Sequence, residues 1–181
     1  MGRPHPTVEV PGDWPGVADE LRRSGLATPL ATDLLSGVTG RAATPGHVCA
    51  TAFVVSPDRT RLLLVRHPRL GWSNPGGHLE PHETTLGAVR REIEEETGLG
   101  AEHLTLARDV PVAVHVTDVG GDDPHRHWNV AWFFVASPAA PLRAEPGQDL
   151  GWFPVDELPD DGAPDLHETW AAVAATLAAP T

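Results

Sequence analysis

The chain has 181 residues and a formal net charge of -12, from 25 acidic side chains against 13 cationic ones. That length fits one compact domain with some extra terminal structure, and a hydrophobic content of 40% is enough for a real core. The charge excludes a general binder of nucleic-acid polymers, which neutralises phosphates with clustered cations, but not a phosphorylated small molecule, because divalent cations invert the field around carboxylates.

The lone Cys49 rules out an intrachain disulfide and reads as a small buried hydrophobe, not a nucleophile. No stretch reaches the length of a membrane span, and the opening MGRPHP lacks the apolar core of a signal peptide. Pro6 stands where a myristoylation motif wants Ser or Thr. The expectation is therefore a cytoplasmic protein without membrane attachment. Every cationic side chain is arginine, a compositional bias without functional meaning.

In chain order, the Pro- and Gly-rich first dozen residues carry no element. Pro15–Ser24 reads as a short helix stopped by Gly25, and Thr28-Pro29 caps and opens a second one ending near Gly37. Residues 1–45 thus form a partly helical extension, and residues 46–181 the main domain. His47–Val55 and Arg61–Arg66 are strand-like runs around a turn-rich Ser56–Thr60, hence a hairpin. Leu70–Pro81 reads as a loop, Thr84–Thr97 as a helix stopped by Gly98. Leu104–Ala107, Val112–Val116 and Val130–Val135 read as strands, with a loop at Gly120–Pro124. Trp152-Phe153 closes a last strand, and Asp165 caps a helix presenting Leu166, Trp170, Val173 and Leu177 at helical spacing. Strands interleaved with a few helices indicate an α/β or α+β sandwich.

The chemistry concentrates in GGHLEPHETTLGAVRREIEEETGL, residues 76–99. Glu92, Glu95 and Glu96 stand at i, i+3 and i+4, so three like charges share one helix face and repel by roughly 0.2–0.5 kcal/mol per pair. Leu86, Val89 and Ile93 share an adjacent face suited to a sheet. A cluster of carboxylate oxygens suits a hard cation such as Mg²⁺, which takes a few carboxylates plus waters and substrate phosphates. Such an ion reconciles an acidic surface with a polyanionic diphosphate. The Pro75-Gly76-Gly77 turn allows close backbone approach, and Arg91 offers a fork of donors able to hold Glu83 at the loop-to-helix junction.

The segment resembles the Nudix box: Gly, five residues, Glu, seven residues, then Arg-Glu-aliphatic-any-Glu-Glu-any-Gly-aliphatic. Gly77, Glu83, Arg91, Glu92, Ile93, Glu95, Glu96, Gly98 and Leu99 match every fixed position. The resemblance implies a Nudix-type α/β/α sandwich around a mixed sheet. It also implies Mg²⁺ or Mn²⁺ held by Glu92, Glu95, Glu96 and the Gly76 carbonyl, with Arg91 bracing Glu83. The implied activity is hydrolysis of a phosphoanhydride bond in a diphosphate-containing small molecule; the general base differs between members and does not carry over, and Glu95 or Glu96 is the candidate here. A homodimer is the default assembly.

Asp118, Asp122, Asp123, Glu145 and Asp149 are candidates for a further carboxylate, each more often plain loop chemistry. His125 and His127 suggest zinc, but no cysteine or third histidine stands nearby in sequence, which sets zinc aside. Arg66, His67 and Arg69 are candidate contacts to an anionic substrate, equally readable as surface. Trp72 either stacks on a base or anchors its loop, the second being commoner. Two other functions compete. A nucleotide sensor of this fold would tend to have a damaged box, and an isopentenyl diphosphate isomerase would carry a cysteine in the Trp72–His78 loop, which has none.

Overall fold

The computed structural model describes residues 14–38, 46–119 and 125–178. The Gly120–Pro124 loop, with Asp122 and Asp123, and the first dozen residues lie outside them. The elements are α1 (Trp14–Ser24), α2 (Pro29–Val38), β1 (His47–Val55), β2 (Arg61–His67), β3 (Gly71–Ser73), β4 (Gly76–His78), α3 (Thr85–Thr97), β5 (Thr105–Leu106), β6 (Ala113–Val119), β7 (His125–Val135), β8 (Leu150–Pro154) and α4 (Leu166–Ala178). A single 3₁₀ turn at Ala101–His103 follows α3.

One eight-stranded mixed sheet runs β3-β2-β1-β7-β5, with β4 beside β1, β6 beside β7 and β8 beside β2. β1 and β7 are parallel along their common length, from His47↔His127 to Val55↔Val135. Side chains alternate across a strand, so β1 divides itself between two cores. Val48, Ala50, Ala52 and Val54 face α1, α2 and α3, together with Trp132 and Phe134 of β7. Phe53 and Val55 face α4, together with Phe133, Leu166 and Val173. The result is the α/β/α sandwich. No described helix is long and apolar enough to cross a membrane.

Two departures from the sequence reading matter for the site. The β1–β2 hairpin pairs only beside its turn, at Val55↔Leu62. Farther along the same edge, β1 takes β4 instead, with Cys49↔His78, Ala50↔Gly77 and Thr51↔Gly76 in register. The span expected to be loop thus contains two short strands, β3 and β4. Gly76 makes this close approach feasible: its φ is +155°, and a Cβ there would collide with the Ala50 carbonyl.

Helix α3 is fixed at both ends. Thr84 caps it through Gly87 N–H at 3.1 Å, and Gly98 ends it in the left-handed region at φ 74°. The N-terminus has a second cap that sequence inspection missed. Glu20 of α1, buried at 4% exposure, accepts from Thr85 N–H at 3.0 Å, Thr85 Oγ1 at 2.6 Å and Leu86 N–H at 3.3 Å. Trp132 Nε1 donates in turn to Thr85 Oγ1 at 2.9 Å. The carboxylate satisfies orphan helix donors and complements the helix dipole. Glu20→Ala leaves buried donors without acceptors, so urea unfolding should show a loss of about 1–3 kcal/mol. Glu20→Gln, which keeps an acceptor oxygen, should lose less.

Candidate active site

The β4 strand lies against α3, and the acidic face meets the glycines there. Gly76 N–H donates to Glu96 Oε2 at 2.9 Å. A Cβ on Gly77 would run into the Glu92 carboxylate, so the glycine pair makes room for the acids. Arg91 spreads its fork over the same ground. Its Nε and Nη2 donate to the two oxygens of Glu83, each at 2.9 Å, a bidentate pair. Its Nη1 reaches Glu92 Oε1 at 2.8 Å and Glu95 Oε2 at 3.2 Å, and Nη2 also donates to the His78 carbonyl at 3.0 Å. One guanidinium therefore ties the loop, β4 and two glutamates of α3 together. Glu95 is the outer member, with 58% of its side chain exposed against 15% for Glu92.

The electrostatics follow from this crowding. Arg91 holds Glu83 below the usual carboxylate range, and its own ionisation is raised by Glu83 and Glu92. Burial pushes Glu92 upward against the opposing pull of Arg91. Glu96 is pushed up to about 8, chiefly by burial, with Glu92, Glu145 and Glu95 adding repulsion against the Gly76 N–H. The bare cluster holds more negative charge than one arginine offsets, in oxygen donors of the kind hard cations prefer. The donor set fits Mg²⁺ or Mn²⁺.

Across the sheet, on the α4 side, a cleft opens whose wall includes Gly76, Gly77, Asn74, His115, Asn129 and Asp165. The Gly76-Gly77 backbone is the seam between cleft and glutamates. His115 Nδ1 lies 2.6 Å from Asp165 Oδ2, and its Nε2 lies 3.3 Å from Thr51 Oγ1. Thr117 Oγ1 donates to the same Asp165 oxygen at 3.0 Å and accepts from Asn129 Nδ2 at 3.0 Å. His115 holds Asp165 below the usual carboxylate range although burial opposes it. A carboxylate on Nδ1 orients an imidazole and fixes which nitrogen faces outward. Asn74 Oδ1 is buried on the cleft wall with no hydrogen-bond partner among the described residues, an arrangement that suits a donor on a ligand.

Sequence reasoning missed this network. Its only signal was the period-two placement of His115 and Thr117; Asp165 does stand at the head of α4, its carbonyl accepting from Thr169 N–H at 2.9 Å. Its carboxylate is engaged by His115 and Thr117, because β6 places both beside the start of α4.

The other candidates separate. Asp118 pairs with exposed Arg126 at 3.0 Å, and Arg66 with Asp161 at 3.0 Å. Glu145 is near enough to Glu96 to repel it, while its Oε2 accepts from Gln148 at 2.7 Å. Asp149 is exposed, and its carbonyl accepts from Arg66 N–H at 2.8 Å. Trp72 anchors its loop, packing edge-on to Phe153 at 4.6 Å and giving its carbonyl to Ala163 N–H. His67 lines the cleft, its Nδ1 accepting from Arg69 and Leu70 N–H; burial and Arg69 push its ionisation down. Arg69 is exposed. His127 lies beside Cys49 and His78, and the side chain of His125 is not described.

The raised Glu96 fixes a sign. Between its ordinary value of 4.5 and about 8 the native carboxyl keeps a proton that the unfolded chain has lost. Folding is then disfavoured as pH rises through that window. In chelator, melting temperature should fall from pH 5 to 8 more steeply in the native sequence than in Glu96→Gln; equal slopes would contradict the crowding.

A family model described as the NUDIX domain matches residues 46–173. An isopentenyl-diphosphate Delta-isomerase of Brevibacterium linens is 30% identical over 154 residues, covering 78% of this chain and 81% of that protein. An 8-oxo-dGTP diphosphatase of Proteus vulgaris is 36% identical over 64 residues, 35% of this chain and 49% of that protein, so the match spans about half the relative's length. The solved MutT NUDIX hydrolase of Burkholderia pseudomallei is similar at 32% identity and a TM-score of 0.50, covering 71% of this chain and 96% of that one. With the family model matched over most of the chain, the protein belongs to the Nudix family.

Proposed function

We propose that the protein is a divalent-metal-dependent hydrolase of a phosphoanhydride bond in a nucleoside-diphosphate-linked or similar diphosphate small molecule. The observation that carries this is the seam at Gly76-Gly77, where the acids of α3 meet a polar cleft across one thickness of backbone. Glu92, Glu95, Glu96 and the Gly76 carbonyl would hold Mg²⁺ or Mn²⁺. The bound ion supplies charge neutralisation at the phosphates and a more acidic attacking water. Arg91 and Glu83 keep the loop and the glutamates in register, and Glu95 or Glu96 serves as general base. His115, Asn129 and Asn74 offer polar contacts to the remainder of the substrate. The MutT-type and 8-oxo-dGTP diphosphatase names of the relatives favour a nucleotide.

In the same reading, residues 46–181 are the catalytic domain and residues 1–45 an extension that braces α3 through Glu20. The protein works in the cytoplasm, with a homodimer as its default assembly.

The Brevibacterium relative favours a second reading, isomerisation of isopentenyl diphosphate. Against it, the Trp72–His78 loop carries no cysteine. Cys49 does line the cleft, but burial and the Glu92 charge keep its thiol protonated. The hydrolase reading predicts Mg²⁺-dependent release of phosphate or mononucleotide from some member of a diphosphate panel, with products resolved by mass. Glu92→Gln and Glu96→Gln should each cost at least about 10²-fold in turnover, the loss that follows when reacting groups are misplaced. Allylic deuterium uptake from D₂O into isopentenyl diphosphate, without release, would favour the isomerase. Nucleotide binding without any turnover would make the protein a sensor.

A further inference from the structure

We propose that Cys49, His78 and His127 form a metal site in the cleft, separate from the glutamates of α3, for a zinc-class ion that prefers thiolate and imidazole ligands. The sheet register builds it. β1–β4 pairing sets Cys49 opposite His78, and β1–β7 pairing sets His47 opposite His127. His47 and Cys49 are two residues apart on β1, so they share a face. Three strands therefore deliver one thiol and three imidazoles to one patch.

The donor atoms of Cys49, His78 and His127 lie within 4.8 Å of one another. Tetrahedral zinc, with bonds near 2.3 Å to sulfur and 2.0–2.1 Å to nitrogen, places its donors about 3.3–3.6 Å apart. Side-chain rotations that move the donors by about an ångström close the set, and His78 is exposed and His127 half-buried, so both have room to turn. The ring centroids of His78 and His127 are 4.9 Å apart, and His47 stands edge-on to His78 at 5.3 Å and to His127 at 6.4 Å. His47 thus flanks the set.

The surroundings suit a cation. All three donors line the cleft, so the remaining position of a tetrahedral ion opens into it, the arrangement of a zinc that also takes an exogenous ligand. The charge of Glu92 reaches Cys49 through the sheet. Binding replaces the S–H bond with an S–metal bond and passes the proton to solvent. The glutamate cluster offers only oxygen and suits hard ions, so the two sites differ in the ions they select.

The test is cobalt(II) titration of chelator-stripped protein in excess Mg²⁺, which occupies the oxygen sites. The expected result is one tetrahedral Co²⁺ per chain, with intense visible d–d bands and a near-ultraviolet thiolate-to-cobalt transition. Cys49→Ala should abolish the thiolate transition. His127→Ala and His78→Ala, at exposed or half-buried positions that leave the core intact, should weaken binding by more than about tenfold. Glu92→Gln should retain the spectrum, which separates this site from the proposed hydrolytic one. Absence of a thiolate transition, its survival in Cys49→Ala, or its loss in Glu92→Gln alone would overturn the proposal.

Discussion

Both candidate sites depend on one piece of strand pairing, the seating of β4 on the edge of β1. Gly76, at φ +155° and against the Ala50 carbonyl, allows a three-residue strand to occupy an edge that the β1–β2 hairpin leaves open. With β4 in place, alternation decides the rest. Gly77 faces α3 and leaves space for the Glu92 carboxylate, while His78 faces the opposite side beside Cys49. A side chain at Gly76 would push β4 off β1, and one at Gly77 would displace the Glu92 carboxylate of α3. Acids and cleft would then no longer share a wall.

The second organising feature is charge held in excess. Four carboxylates, Glu83, Glu92, Glu95 and Glu96, meet one guanidinium and two backbone N–H groups, those of Gly76 and Glu80. Arg91 settles the account with Glu83, a bidentate partner, and leaves Glu92 and Glu96 raised by burial. A hydrophobic surface in this place would give a more stable protein. The retained repulsion has a physical use only if cations are brought to it, consistent with a polyanionic substrate on an acidic protein.

Precision at such a site requires that the helix not shift. Glu20 reaches from α1 to the first turn of α3, and Trp132 of β7 locks Thr85 at the same point. Thr84 and Gly98 set the two ends of the helix. On the other face, Asp165 connects α4 to β6 through His115 and Thr117. Both helical layers are thus tied to the sheet by buried or half-buried carboxylates, Glu20 through Thr85 and Trp132, and Asp165 at the cleft wall. Polar links of this kind are directional, and they fix side-chain orientation more tightly than apolar packing.

The sequence by itself determined the family-bearing segment and most elements. The i, i+3, i+4 spacing of Glu92, Glu95 and Glu96 and the Gly98 stop of their helix are local properties, written within a few residues of one another. Local spacing and local propensity survive without knowledge of the fold. Only the tertiary structure decided β4, because a three-residue strand rich in glycine has no periodicity to read. It alone brought Glu20 to Thr85, 65 positions away, and Asp165 to His115, 50 positions away. It also joined residues that sequence distance separates: no cysteine stands near His127 in sequence, yet register places Cys49 and His78 beside it. Strand pairing joins residues according to which edges meet, and no short window of sequence contains that information.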